Sequence, residues 1–144
     1  YHRSLRPRVV DMLTGLKEMG FKLGIISNTG SLFQVFEILN EYGIRDFFND
    51  VTLSSVTGYR KPHPNIFKIS LYQMKSKPQN SVYVGDTFSR DIIGAAKMGF
   101  KLTIHINSKV TKSKDINVPN DIRASYEIND IYDVYTIMKE LKNK

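Results

Sequence analysis

The chain has 144 residues, 41% of them hydrophobic, long enough for one domain with a proper core and too short for two of ordinary size. Its 21 lysines and arginines against 14 aspartates and glutamates leave a net charge of +7, which suits an anionic partner without choosing among a phosphorylated metabolite, a nucleic acid and an acidic membrane surface. With no cysteine, a disulfide framework, a thiolate metal site and a cysteine nucleophile are excluded within these residues, a composition that suits the cytoplasm; no apolar run approaches the roughly 18 residues of a membrane helix, and nothing resembles a signal peptide.

The apolar periodicity switches repeatedly between helical and extended patterns without an internal repeat, which is the mark of α/β architecture. Pro7 suits a first helical turn, Val9, Val10, Leu13 and Leu16 fall on one face, and Gly20 is a natural stop, predicting a helix over 8–19. Lys22 to Ile26 reads as a buried strand. The cluster Ser27-Asn28-Thr29-Gly30-Ser31 ends it and supplies caps for a helix that carries Leu32, Val35, Phe36 and Leu39 and stops near Gly43. Val51 to Ser54 is a second strand, and Pro64 opens a helix with Phe67, Leu71 and Met74 on its inner face. Val82 to Val84, the third strand, runs into Gly85 and Asp86. Ile92, Ile93, Ala95, Ala96 and Met98 then form a helix closed by Gly99. Leu102, Ile104 and Ile106 alternate with Thr103 and His105, the period of a fourth strand. The polar stretch 107–120 is expected to be mobile, and its Lys109, Lys112 and Lys114 read as a solvated loop rather than a binding patch. Tyr126 to Ile128 predicts an edge strand, and Ile131, Val134, Ile137, Met138 and Leu141 a closing helix. Strands separated by helices of this length need right-handed crossovers and a mostly parallel sheet.

In open α/β sheets ligands sit beyond the carboxyl ends of the strands, so the residues just after each strand carry the chemistry. After the third strand stands Gly85-Asp86-Thr87-Phe88-Ser89-Arg90-Asp91, with the second acid five residues after the first. Gly85 allows a close backbone approach, and Asp91 in the first helical turn can point back toward Asp86. Two carboxylates about 4 Å apart repel by roughly 4 kcal/mol at an effective dielectric near 20, so their convergence requires a cation. Magnesium, which takes one or two carboxylates and phosphate oxygens, meets that need. The alternative is that both acids merely cap the helix and complement its dipole. After the first strand, Ser27 and Asn28 precede a helix N-terminus, an anion site or an ordinary cap. Lys61, in Gly58-Tyr59-Arg60-Lys61-Pro62-His63-Pro64, is held extended by the following proline, either as a fixed cation or as a solvated loop lysine.

These three clusters, in this order and spacing, resemble the haloacid dehalogenase-like superfamily, phosphatase branch, over nearly the whole chain. Leu23-Gly24-Ile25-Ile26-Ser27-Asn28 is similar to the family's second motif, Gly58 to Phe67 (GYRKPHPNIF) to its third, and Val84 to Gly99 (VGDTFSRDIIGAAKMG) to its fourth. The resemblance implies a three-layer Rossmann-like core over 1–144 and a Mg²⁺-dependent phosphate monoester hydrolase working through a phospho-aspartyl intermediate. It makes Ser27 and Asn28 phosphate-binding, Ser27 and Lys61 catalytic, Lys61 also phosphate-binding, Asp86 a magnesium ligand and Asp91 a second or water-mediated one. The substrate it implies is a small phosphorylated metabolite.

One part of the pattern is missing. The family's first motif is an Asp-x-Asp pair at the end of the central strand, and no such pair occurs in these residues; Asp11, after Val9 and Val10, reads as a surface helix acid. With Tyr1 rather than Met in first place, the expectation is that the chain begins after the first motif and after the cap that many relatives insert there, so that the chain alone is inactive. The sheet is then expected to lack its first, central strand, leaving two inner edges and an apolar groove that invite oligomerisation or an N-terminal segment supplied from outside. A non-catalytic interaction module with the same scaffold is the alternative. A haloacid dehalogenase is disfavoured by Asp86, and nucleic-acid binding by the scattered lysines and arginines. His2, His63 and His105 are too dispersed to assign chemistry, His63 being expected in solvent.

Overall fold

The computed structural model describes residues 5–107 and 121–144, so the rest of the polar 107–120 stretch, with its three lysines, lies outside the described residues. Helix α1 (Val9–Glu18) buries Met12, Leu13 and Leu16, with Val9 packed beside them, whereas Val10 is 46% exposed. Val9, Met12, Leu13 and Leu16 keep the spacing of one helical face; Val10, expected there, is turned about 100° from Val9 and points away. Asp11 is exposed on the same helix, as expected.

Strand β1 (Gly24–Ser27) pairs in parallel with β2 (Asp50–Leu53), Ile25 opposite Val51 and Ser27 opposite Leu53. The connecting helix α2 (Gln34–Glu41) starts later than Ser31 because Ser31 Oγ accepts from the backbone N–H groups of both Phe33 and Gln34, leaving Leu32 exposed before the first turn. β2 passes directly into a single helical turn, α3 (Ser54–Thr57), where the sequence predicts extended chain through Ser54. Gly58 closes that turn at φ 80°, a left-handed conformation that glycine adopts without penalty. Then follow α4 (Pro64–Met74), β3 (Val82–Gly85), α5 (Ile93–Met98), β4 (Leu102–Ile106), β5 (Tyr126–Ile128) and α6 (Asp133–Lys142). The last three strands form a parallel sheet in the order β3-β4-β5, with β5 at the edge as its sequence predicts.

Alternation along the strands sorts the helices into two layers. Ile25, Val82, Val84, Ile104 and Ile106 pack into the larger core with α1 and α6, whereas Ile26 and Tyr83 face Ile66, Phe67 and Ala95 of α4 and α5. The result is the expected α/β class, helices on both faces of parallel strands. The sheet is nevertheless divided, because β1-β2 and β3-β4-β5 are separate and β1 does not pair with β3. A groove of about 640 Å³ runs between them, with Ile25 and Ile26 on one wall, Val82 and Val84 on the other, and Leu13 and Leu71 from the two helical layers. The starts of both strands line it at Leu23 and Ser81, and Lys61, Asp86 and Asp91 line it beyond their ends. This is the form expected of a mostly parallel Rossmann-like sheet whose central strand is not among these residues.

Helices α4 and α5 meet closely at Gly94. A Cβ there would stand 2.8 Å from the Phe67 ring and 3.2 Å from Pro62 Cβ, and Phe67 is fully buried with no room to swing aside. Alanine gains about 1 kcal/mol of helix propensity over glycine, but overpacking a closed core costs roughly 1–3 kcal/mol. The clash is expected to win. Gly94→Ala should lower the free energy of unfolding by about 1–2 kcal/mol in urea denaturation, and equal or higher stability would show the α4–α5 contact to be slack.

Candidate functional site

The ends of β1 and β3 are joined through Lys61. The Asn28 side chain clamps the lysine backbone, its Oδ1 accepting from Lys61 N–H at 2.7 Å and its Nδ2 donating to Lys61 C=O at 3.2 Å. The Lys61–Pro62 peptide bond is cis. From this anchor the Lys61 ammonium donates to Asp91 Oδ1 at 2.6 Å, with only 13% of the lysine side chain and 5% of the aspartate side chain exposed. Ser27, the residue before Asn28, ends β1 on the same rim. The loop that follows it is tied to α3, Thr29 N–H donating to Ser54 Oγ and Ser54 Oγ–H returning a bond to Thr29 C=O.

Asp91 is held from three directions. Its Oδ1 accepts from Lys61 Nζ and from the Tyr83 hydroxyl at 3.2 Å, and its Oδ2 accepts from Thr87 N–H at 3.1 Å. The carboxylate can fold back this far because residue 85 is glycine: a Cβ there would fall 2.4 Å from Asp91 Cβ and 2.5 Å from Asp91 Oδ2. The segment carrying Asp91, Phe88–Ile92, is a π-helical turn before α5 rather than the plain α-helical start that the sequence suggests. Such widened turns are frequent at functional sites. Burial, reinforced by the charge of Asp91 and its hydrogen bond, pushes the Tyr83 phenol well above its ordinary value, so it stays a neutral donor.

Asp86 lines the groove with Asp91 and Lys61. Its backbone is braced from the neighbouring strands: His105 Nε2 lies 3.2 Å from Asp86 C=O, His105 Nδ1 lies 2.7 Å from Glu127 Oε2, and the Phe88 ring meets the imidazole edge-on at 5.6 Å. The magnesium ion that the resemblance implies takes one or two carboxylates and fills its shell with water and phosphate oxygens. Asp86 fits as such a donor. Asp91 already accepts three hydrogen bonds of the about four its lone pairs allow, which suits contact through water better than direct ligation. Among the described residues no group of three or more His, Cys, Asp or Glu is gathered as a cage, so protein donors would fill only a small part of the shell.

The structure thus brings Asn28, Lys61, Asp86 and Asp91 together and sets Ser27 beside them. His63 lies apart, exposed, its Nδ1 accepting from Asn65 N–H as the cap of α4 and its ring 4.7 Å from that of Tyr59. Sequence reasoning did not select Tyr83, Thr87 or His105. A phenol in an otherwise apolar strand two residues before Gly85 was the one available signal; a backbone N–H donor at Thr87 leaves no trace in composition. Asn28, expected to bind phosphate, uses its side chain to hold Lys61.

The family model described as haloacid dehalogenase-like hydrolase matches residues 2–99. A glyceraldehyde 3-phosphate phosphatase of Methanocaldococcus jannaschii is 36% identical over 136 residues, covering 94% of this chain and 57% of that protein. A ribulose-1,5-bisphosphate 5-phosphatase of Halopiger xanaduensis is 31% identical over 101 residues, covering 70% of this chain and 42% of that protein. The crystal structure of an HAD phosphatase from Thermococcus onnurineus superposes with a TM-score of 0.78 at 28% identity, over 94% of this chain and 58% of the other. The chain therefore spans about half the length of these relatives. Three motifs in order, their convergence on one rim at the ends of parallel strands and a family match over most of the sequence lead to one conclusion: the chain belongs to the haloacid dehalogenase-like hydrolases.

Proposed function

We propose that residues 1–144 are a single core domain of a cytoplasmic, Mg²⁺-dependent phosphate monoester hydrolase whose substrate is a small phosphorylated metabolite. One observation carries the reading: a largely buried lysine ammonium, fixed at its backbone by Asn28 and at its head by Asp91, sits with Asp86 at the mouth of the groove. A fixed cation beside carboxylates suits a phosphoryl dianion. The names of the relatives, phosphatases acting on glyceraldehyde 3-phosphate and ribulose 1,5-bisphosphate, support a phosphorylated metabolite of that size. No helix among the described residues is long and apolar enough to cross a membrane.

In this reading an aspartate on a strand filling the groove attacks phosphorus. The ester P–O bond breaks as the second aspartate of the Asp-x-Asp pair gives its proton to the departing alcohol, and the same carboxylate then takes a proton from the water that cleaves the acyl phosphate to inorganic phosphate and the free nucleophile. Lys61 offsets the charge of the nucleophile and the phosphoryl group, while the Ser27 hydroxyl and Asn28 N–H hold phosphoryl oxygens. Asp86 would hold magnesium, with Asp91 acting through water, and the bound ion would supply Lewis-acid stabilisation of the phosphoryl charge. With the groove open, 1–144 alone would be inactive and prone to associate through its unpaired strand edges.

Assay of p-nitrophenyl phosphate hydrolysis by 1–144 and by the full-length protein tests this reading. Full-length protein should turn over with Mg²⁺, stop on adding chelator and recover with fresh Mg²⁺, while 1–144 stays silent; full-length protein inactive under all conditions would favour a non-catalytic module instead. In light scattering, 1–144 should self-associate, and a monomer with a cooperative, high-temperature melt would contradict the open groove. Lys61→Met should lower kcat/KM of the full-length protein about 10²–10³-fold, the usual cost of one electrostatic donor at a reacting centre. It should also cost about 3 kcal/mol in denaturant titration by leaving Asp91 buried without its cation, a loss partly recovered in the Lys61→Met/Asp91→Asn double variant.

A further inference from the structure

Asp91 fixes the head of Lys61, so its carboxylate plane must itself be fixed. Thr87 N–H restrains only Oδ2. The second restraint that is not the lysine itself is the Tyr83 hydroxyl on Oδ1, the same oxygen that receives Lys61. Tyr83 is immobilised in turn by two rings that it meets edge-on, Phe67 at 5.4 Å and 65°, and Phe100 at 5.6 Å and 89°. Phe67 and Phe100 also contact each other at 6.1 Å, and Phe67 is fully buried. The hydroxyl therefore projects from a closed aromatic cluster at a fixed point. Lysine has a flexible four-carbon stem and three rotatable donors, so its aim depends on what holds its head.

We propose that Tyr83 is a positioning residue: through its hydrogen bond to Asp91 it sets the plane of that carboxylate, and thereby the direction in which the remaining Lys61 donors point along the rim. The inference rests on the phosphatase reading for its catalytic consequence, but its geometric core does not depend on that reading. A ring serving only to fill the α4–α5 layer would need no hydroxyl, and phenylalanine would serve as well.

The test compares full-length wild type, Tyr83→Phe and Phe100→Leu by thermal melt and by p-nitrophenyl phosphate kinetics with Mg²⁺, and adds a crystal structure of Tyr83→Phe. Tyr83→Phe keeps the ring, so it should melt close to wild type while kcat falls about tenfold with KM little changed, the rate equivalent of roughly 1.4 kcal/mol. Phe100→Leu keeps the hydroxyl but slackens the packing of its ring, so it should lower the melting temperature and lower kcat by less than Tyr83→Phe does. In the Tyr83→Phe crystal the Asp91 carboxylate should be rotated and the Lys61 ammonium displaced from Oδ1. An unchanged kcat in Tyr83→Phe or an unaltered Lys61–Asp91 contact in the crystal would each overturn the proposal. If wild type hydrolyses no phosphate ester, the phosphatase reading fails, and the crystal structure alone still decides the role of Tyr83.

Discussion

The Lys61–Asp91 ion pair is the constraint on which the rim of this protein depends. A carboxylate in a side chain only 5% exposed needs polar partners, since removing it from water costs several kcal/mol even after relaxation. Here compensation comes from one cation and two neutral donors, drawn from three parts of the chain: the loop before α4, strand β3 and the turn after it. The pair adds little net stability for that reason, because its Coulombic gain largely offsets desolvation. What it adds is geometry, joining two sheets that share no strand pairing.

Several local features follow from that requirement. Gly85 is small because Asp91 folds back against it, and the turn at Phe88–Ile92 is π-helical where Asp91 leaves for the rim. Asn28 lends its side chain to the Lys61 backbone, so the end of β1 and the loop before α4 are held as one unit. Gly94 lets α5 approach α4 near Pro62, the residue after Lys61, so core packing and the site share atoms. The fold positions the rim through short-range contacts on both sides of the groove, and the groove itself separates them.

That separation also shapes the functional reading. The rim, the groove and the divided parallel sheet bring together two strand edges, an apolar floor and a fixed ammonium at the carboxyl end. A strand entering there would pair on both sides, and a carboxylate at its end would meet a cation already in place. Preorganisation of that kind lowers the reorganisation needed when charge develops.

The sequence by itself determined the α/β class, the order of elements and the three clusters, because these are encoded locally by apolar period, strand-end polarity and turn residues. Val9, Leu13 and Leu16 show one helical face, Leu102 to Ile106 alternate as a strand, and GDTFSRD stands after a strand end whatever else the chain does. Local pattern also misled where neighbours decide: Val10 turned outward, Leu32 remained exposed before its helix, and Ser54 entered a helical turn and bonded to Thr29. Only the tertiary structure decided that Asn28 works through its side chain, that Tyr83 and Thr87 share Asp91 with Lys61, and that β1 and β3 stand apart. The physical reason is range. Helical and strand periods are set by residues a few positions apart, whereas the Asn28–Lys61 and Lys61–Asp91 contacts join positions about thirty residues apart and exist only once the layers have closed.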